Sequence, residues 1–322
     1  MIRIGIIGGA GYTAGELLRL LINHPQADIR FVNSSSHAGN KVTDVHAGLL
    51  GECDLTFTGA LPLDEIDVLF LCSAHGDSKV FLEANQVPAQ VKIIDLSTDF
   101  RQQRPDHDFI YGLPEMNGND IRKAQHIANP GCFATCIQLA LLPLAANGRL
   151  TSDVHVNAIT GSTGAGVKPS STSHFSWRND NISVYKAFEH QHLQEINQSV
   201  KHLQPAFSHD ILFIPMRGDF ARGIFASVYT HFEGSLEEAT ALYNDYYQGA
   251  AFTFITDKNI DLKQVVNTNK CLLHLEKHGD KLLILSAIDN LLKGASGQAV
   301  HNMNLLFGLD EKTGLHLKPQ AF

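Results

Sequence analysis

The chain opens with a dense apolar run, Ile2-Arg3-Ile4-Gly5-Ile6-Ile7, which breaks at Gly8 and gives way to leucines at helical spacing between Glu16 and Asn23, before Pro25. A change of period from two to 3.6 across a glycine turn predicts a strand, a turn and a helix in succession. Further strands are predicted at Ile29-Arg30-Phe31-Val32, Asp67-Val68-Leu69-Phe70-Leu71-Cys72, Val91-Lys92-Ile93-Ile94-Asp95-Leu96 and His126-Ile127-Ala128, with a helical stretch at 76–85. Nearly continuous apolar strands separated by helical segments belong to a parallel sheet covered on both faces. Pro130-Gly131 then forces a turn, and 132–142 contains no further Gly or Pro, so a helix is predicted to begin at or just after Cys132.

After Ala145-Ala146-Asn147-Gly148 the pattern changes. Strand-like segments at 154–159, 211–214, 223–232, 252–255, 270–275 and 281–287 come with turn signals and few helices between them. This predicts a second domain on a mostly antiparallel sheet. Ser235-Leu236-Glu237-Glu238 has the form of a capping box opening a helix to about Tyr247. A last helix is expected to begin around Asp289 and to run to about Phe307, with Gly308 as its stop. The predicted class is α/β: a Rossmann-type dinucleotide-binding domain from residues 1–149 and 289–322, and a second α+β domain, 150–288, with a mostly antiparallel sheet.

With 322 residues, 44% hydrophobic and 18% charged, the chain has room for about two domains with large cores. A net charge of -8 leaves no global basic field for nucleic acid or anionic lipid, so an anionic small-molecule substrate must be held by local cations. Five scattered cysteines, Cys53, Cys72, Cys132, Cys136 and Cys271, suit a reducing compartment better than a disulfide framework. Zinc and redox pairs use closer spacing with further ligands than Cys132 and Cys136 offer, so no metal site is expected and Cys136 is read as core. Met1-Ile2-Arg3 runs straight into a strand, with neither a signal peptide nor an apolar stretch of membrane-spanning length; a cytoplasmic location is expected.

Candidate chemistry begins at Gly8-Gly9-Ala10-Gly11-Tyr12-Thr13-Ala14-Gly15, where glycines let the backbone approach a pyrophosphate seated at the following helix N-terminus. Gly8, Gly11, Tyr12, Thr13, Ala14 and Gly15 are the candidates, although the spacing G-x-x-G-x-x-x-G departs from G-x-G-x-x-G. The second strand ends in Asn33-Ser34-Ser35-Ser36 instead of the acidic residue that bonds a ribose 2′-hydroxyl. Ser34 and Ser36, with Lys41 close behind, suit a 2′-phosphate, so NADP is the expected cofactor; a polar loop is the plainer alternative. Ser73 closes another strand on the ligand-binding edge. Arg101, also at a strand end, either holds a substrate carboxylate or phosphate or is an ordinary surface arginine. Glu115 lies in a turn, Tyr111-Gly112-Leu113-Pro114-Glu115. The loop 160–170 fails as a Walker A motif because Val167 stands where the lysine is required. It is either a ligand-lining or a plain flexible loop.

Cys132 is the candidate nucleophile. Lowering a thiol pKa from about 8.5 to about 6 raises its thiolate fraction roughly 30-fold but lowers nucleophilicity roughly 10-fold, so little is gained by activation alone. Oxyanion stabilisation by the helix N–H groups and positioning, each on the order of 3 kcal/mol, weigh more. His190 and His192 are candidates for proton transfer, with a surface location or half a metal site as alternatives.

Taken in order, GGAGYTAGE, YGLPE, NPGCF, EHQHLQEI and DNLLKGA resemble the arginine-biosynthetic N-acetyl-γ-glutamyl-phosphate reductases of the semialdehyde dehydrogenase group, over most of the chain. The resemblance implies Cys132 as nucleophile and His192 as acid/base with His190 beside it. It implies NADP bound by the glycine turn and by the helix start at Asn290, and a homo-oligomer, dimer or tetramer, built through the second domain. The activity implied is reduction of N-acetyl-γ-glutamyl phosphate to the semialdehyde and phosphate through a cysteine thioester. Related reductases of aspartyl or carrier-linked aminoadipyl phosphate, and a non-catalytic NADP-binding regulator, are the alternatives. Two departures stand out: Gly15 is shifted by one, and Pro215-Met216-Arg217 replaces the usual P-H-L stretch. Arg222-Gly223-Ile224 is retained, so Arg222 carries over as a substrate contact, and Arg217 is left without an assigned role.

Overall fold

In the computed structural model, which describes residues 1–320, the apolar runs of the first third become parallel strands. The chain forms two compact units: Met1–Pro130 with Ala295–His316, and Gly131–Gly294 with the residues from Leu317 onward. The first contains β1 (Ile2–Ile7), α1 (Tyr12–Leu21), β2 (Ala27–Asn33), α2 (Val42–Val45), β3 (Phe57–Thr58), β4 (Val68–Leu71), α3 (Asp77–Ala84), β5 (Lys92–Asp95), β6 (Ile110–Tyr111), α4 (Pro114–Ile121) and β7 (His126–Ala128). Their order in the sheet is β3-β2-β1-β4-β5-β7-β6, every pairing parallel. All four residues of β4 are buried, as a strand covered on both faces requires.

Two local readings change. α1 starts at Tyr12, not Glu16, because Gly11 in an extended conformation (φ -81°, ψ 166°) is its N-cap and 12–15 is its first turn. The stretch read as a turn around Glu115 opens α4, with Pro114 in the first helical turn, where its missing N–H costs nothing.

The second unit holds α5 (Cys132–Ala146), β8 (Val154–Thr160), α6 (Phe175–Arg178), β9 (Ser183–Val184), α7 (His192–Leu203), β10 (Ile211–Arg217), β11 (Ile224–His231), α8 (Leu236–Tyr246), β12 (Thr253–Thr256), β13 (Cys271–His278) and β14 (Lys281–Ile288). The sheet order is β12-β13-β14-β11-β8-β10-β9. It is mixed and mostly antiparallel, the parallel pairs being β8 with β10 and β12 with β13. β8 and β11 alternate buried with half-buried residues, so one face carries the core. After a π-helical turn at Leu292–Ser296 the chain returns to the first unit as α9 (Gly297–Leu306).

α5 lies within the 1–149 segment expected for the dinucleotide domain but groups with the second unit: it packs on α7, α8, β11 and β14, and the units divide between Pro130 and Gly131. Thirteen of its fifteen residues are buried. A helix apolar on every side needs cover on every side, which the second sheet and two helices supply. Pro143 lies inside it and cannot donate to Leu139 O. The Tyr247 hydroxyl donates to that carbonyl at 2.6 Å, Tyr243 donates to Ala140 O, and Ser286 donates to Cys136 O at 2.8 Å. Three hydroxyls thus fix the helix that begins with Cys132.

Candidate active site

Cys132 is the first residue of α5, half-buried, behind an N-cap glycine that offers no side-chain cap. The positive end of the helix dipole and the unsatisfied first-turn N–H groups are therefore directed at the thiol and at whatever binds to it. Cys72 and Cys136 are enclosed: burial, reinforced by Asp95, pushes Cys72 up to about 12, and burial lifts Cys136 well above the usual thiol range. Neither can serve as a thiolate near neutral pH.

His192 opens α7 and is 6% exposed. A methyl group on Gly131 would overlap its imidazole, so this residue is glycine for close approach even though its φ of -70° is ordinary. The Gly131 N–H donates to Glu195 Oε2 at 2.9 Å, and Glu195 Oε1 lies 3.9 Å from His192 Nε2. A buried carboxylate on α7 thereby joins the residue preceding the thiol to the histidine one turn away. Glu195 was missed from the sequence; its place at i+3 from a candidate histidine on a predicted helix would have been the signal.

His190 is also buried, edge-on to Phe133, Phe213 and His192, with ring centroids 5.5, 5.4 and 4.6 Å away. Its Nδ1 accepts the His192 backbone N–H at 3.2 Å, leaving the proton of a neutral ring on Nε2. Burial, with Lys186 adding to it, lowers His190 to about 4, so it is neutral at physiological pH. The unfolded chain protonates this ring near 6.5 while the folded one resists to about 4. Its stabilising contribution is complete above the unfolded value and lost as pH falls through the folded one. Burial lowers His24 with the same sign. Urea midpoints should therefore drop between about pH 7 and about pH 4.5, and drop less in His190→Gln.

Arg222 is held by both oxygens of fully buried Asp289, Nε and one terminal nitrogen each at 3.1 Å. Asp289 also accepts the backbone N–H groups of Asn267, Leu291 and Leu292. Asn290 takes the Gly223 N–H at 2.7 Å and donates to Thr163 Oγ1 at 3.1 Å, so its amide ties the 160–170 loop to the start of β11. That loop is not plain coil: 162–165 form a 3-10 turn, and Thr163 Oγ1 donates to Ala221 O at 2.6 Å. Asp289, the hub of these contacts, was not singled out from the sequence.

Within the first unit, β1, β2 and β4 are parallel, so their C-terminal ends share one edge of the sheet. Gly8, at φ 76°, lies so close to Ser73 that a methyl group would stand 2.8 Å from the Ser73 N. At Gly11 a methyl would meet only Gly8 O, at 3.8 Å, leaving room in front of an uncapped helix start. That is the cradle a pyrophosphate needs. Tyr12 is exposed and Thr13 half-buried; Ala14 is fully buried, so only its backbone N–H can face a ligand. Gly15 faces inward, where a methyl would come within 2.7 Å of His46 Nδ1; packing explains this glycine's place. Ser296 Oγ donates to Thr13 O at 2.7 Å, a support of the turn not foreseen from the sequence. Ser34 is buried with its Oγ 3.4 Å from that of exposed Ser36, and exposed Lys41 donates its N–H to Asp44 at 3.0 Å.

Arg101 is not a surface residue. At 5% exposure it donates to the carbonyls of Asn129 and Leu96, both at 2.9 Å, and so holds the strand end that leads to Pro130. Glu115 lies half-buried in the first turn of α4. Among the described residues, no helix is long and apolar enough to cross a membrane, and no cluster of three or more His, Cys, Asp or Glu is placed to hold a metal ion.

Comparison with known proteins places the chain in a class. Residues 3–124 match the family model for the semialdehyde dehydrogenase NAD binding domain, and 132–290 match that for the semialdehyde dehydrogenase dimerisation domain. Solved structures share the fold: aspartate semialdehyde dehydrogenase II of Vibrio cholerae superposes with a TM-score of 0.73 at 16% identity, over 96% of this chain and 98% of that one. The enzyme of Candida albicans, solved with NADP, does so at 0.74 and 15%, over 95% and 99%. The class is thus an NAD(P)-binding semialdehyde dehydrogenase. Curated N-acetyl-gamma-glutamyl-phosphate reductases of Parabacteroides distasonis, Bacteroides fragilis and Christiangramia forsetii are 70%, 69% and 59% identical over the full length of both chains. The chain belongs to the N-acetyl-gamma-glutamyl-phosphate reductase family.

Proposed function

We propose that the protein reduces N-acetyl-γ-glutamyl phosphate to N-acetylglutamate 5-semialdehyde and phosphate with NADPH, a step of arginine biosynthesis, through a thioester on Cys132. The observation that carries this reading is the half-buried thiol at an uncapped helix N-terminus, with His192 packed on the residue before it. Cys132 Sγ attacks the acyl carbon while His192 takes the thiol proton; the carbon–oxygen bond to phosphate breaks and His192 returns the proton to the departing oxygen. First-turn N–H groups of α5 receive the negative charge that gathers on the carbonyl oxygen in each addition. The nicotinamide of NADPH, when bound, would supply the hydride that reduces the thioester. The thiohemiacetal oxyanion then expels the Cys132 thiolate as the semialdehyde forms. His190, neutral, supports the ring of His192 and does not carry charge.

Gly8, Gly11, Ser73 and the N–H groups of Tyr12, Thr13 and Ala14 would hold the pyrophosphate side of the cofactor, with Gly15 letting the helix pack against His46 behind them. Ser34, Ser36 and Lys41 favour NADP: their stretch presents hydroxyls and an ammonium and no carboxylate to repel a 2′-phosphate. Arg222 and Asn290 act through the loops they tie, beside Glu115 and Arg101 as further candidates for shaping the substrate site. A homo-oligomer formed through the second unit, in the cytoplasm, completes the reading. Its support is the dimerisation domain named in the matched model. Purified protein should oxidise N-acetylglutamate semialdehyde only when phosphate and NADP are both present, with kcat/KM falling steeply for NAD and for aspartate semialdehyde. Equal turnover of aspartate semialdehyde would assign it to the sister reaction.

A further inference from the structure

β10 ends at Arg217, whose guanidinium lies 4.8 Å from the centroid of the Tyr185 ring. Its Nε is buried and has no hydrogen-bond partner among the described residues. Behind it, Arg178 at 6% exposure donates to Arg217 O at 2.5 Å and to Ser183 Oγ at 3.0 Å, and its own Nε is likewise unpartnered. Neither arginine forms a salt bridge among the described residues. The carboxylate that Arg178 feels, Asp219, is engaged by the Asp180 N–H at 2.8 Å. Burial, and after it the neighbouring Arg217 charge, pull the Arg178 guanidinium below its ordinary pKa. A buried guanidinium without a counter-ion, next to a second one that is half-buried, is costly, and a bound anion offsets that cost.

This pair sits by the nucleophile. Phe133, which follows Cys132 in α5, meets His190 edge-on at 5.5 Å, and burial with the nearby Cys132 drives the Tyr185 hydroxyl up. Tyr185 also meets His190 edge-on at 5.7 Å. The polar N–H fork of an arginine matches a carboxylate or phosphoryl group in two parallel hydrogen bonds.

We propose that Arg217, backed by Arg178, is the subsite that receives an anionic group of the acyl substrate, its carboxylate or its phosphoryl group, while the acyl carbon lies at Cys132. The proposal rests on the function given above, and the two can fail separately: wild-type turnover in the phosphate-dependent oxidation assay tests the function, and the variants test the subsite. In that assay Arg217→Met should raise one KM by about 10- to 100-fold, with the KM for NADP unchanged and Arg217→Lys recovering part of the loss. A raised KM for the semialdehyde identifies the carboxylate as the occupant; a raised KM for inorganic phosphate identifies the phosphoryl group. As a binding readout, inorganic phosphate or N-acetylglutamate should slow iodoacetamide alkylation of Cys132 in the wild type and lose that protection in Arg217→Met. Unchanged KM values for both reactants, a fall in kcat alone, or full protection in the variant would overturn the assignment. Should Arg217→Met fail to fold, Arg217→Lys, which keeps the charge but not the fork, decides by the same measurements.

Discussion

Cys132→Ala should lower kcat for the reductive reaction by at least about four orders of magnitude while leaving NADP affinity within about twofold. Without sulfur no thioester forms, and the residual rate is whatever the α5 N-terminus achieves by binding alone. Cys132→Ser tests the same point more sharply. A serine hydroxyl remains a donor at the same helix end, but it is neither ionised nor polarisable enough to displace phosphate at a comparable rate. A single-turnover experiment, with quenched samples examined for covalently bound acyl group, separates nucleophile from bystander. Reduction by Cys132→Ser at the wild-type rate would remove the covalent mechanism altogether.

His192→Asn is expected to cost about 10²- to 10⁴-fold in kcat with little change in cofactor binding. The amide still hydrogen-bonds and nearly fills the space against Gly131, but it takes up no proton from the thiol and returns none to phosphate. The pH profile should change with it: a limb that reports the histidine in the wild type should disappear. His190→Gln, by contrast, should keep that limb, since this ring is already neutral across the working range. Loss of the limb in His190→Gln and its retention in His192→Asn would reverse the assignment of the two histidines.

Most of the parallel sheet was legible because its strands are apolar runs bounded by glycine or proline, and β7 coincides with the predicted His126-Ile127-Ala128. The two-residue strands β3, β6 and β9 were not, since a pair of residues has no period. α4 was hidden by a Pro-Glu opening that also reads as a turn. α5 was recognised as a helix, but its grouping with the second unit was not. Periodicity says how much of a helix is apolar and nothing of which sheet will cover it.

The site was legible in parts. Cys132 and the two histidines stand out by residue type, and the glycine turn by its place after the first strand. The groups that hold them do not: Glu195, Asp289 and Ser296 are ordinary polar residues whose importance arises only when folding brings them against Gly131, Arg222 and Thr13. Arg101 shows the converse. An arginine at a strand end stands out as a candidate ligand contact, but the two main-chain carbonyls that fix its guanidinium do not.

The sheath around α5 has a bearing on how broad the enzyme's diet can be. A nucleophile mounted on a helix clamped by Tyr243, Tyr247 and Ser286 has almost no freedom to tilt toward a shorter or longer acyl chain. Tolerance for a new substrate has to come from the residues facing the far end of that chain. Divergence toward other acyl phosphates would therefore leave the helix untouched and rewrite the walls opposite it.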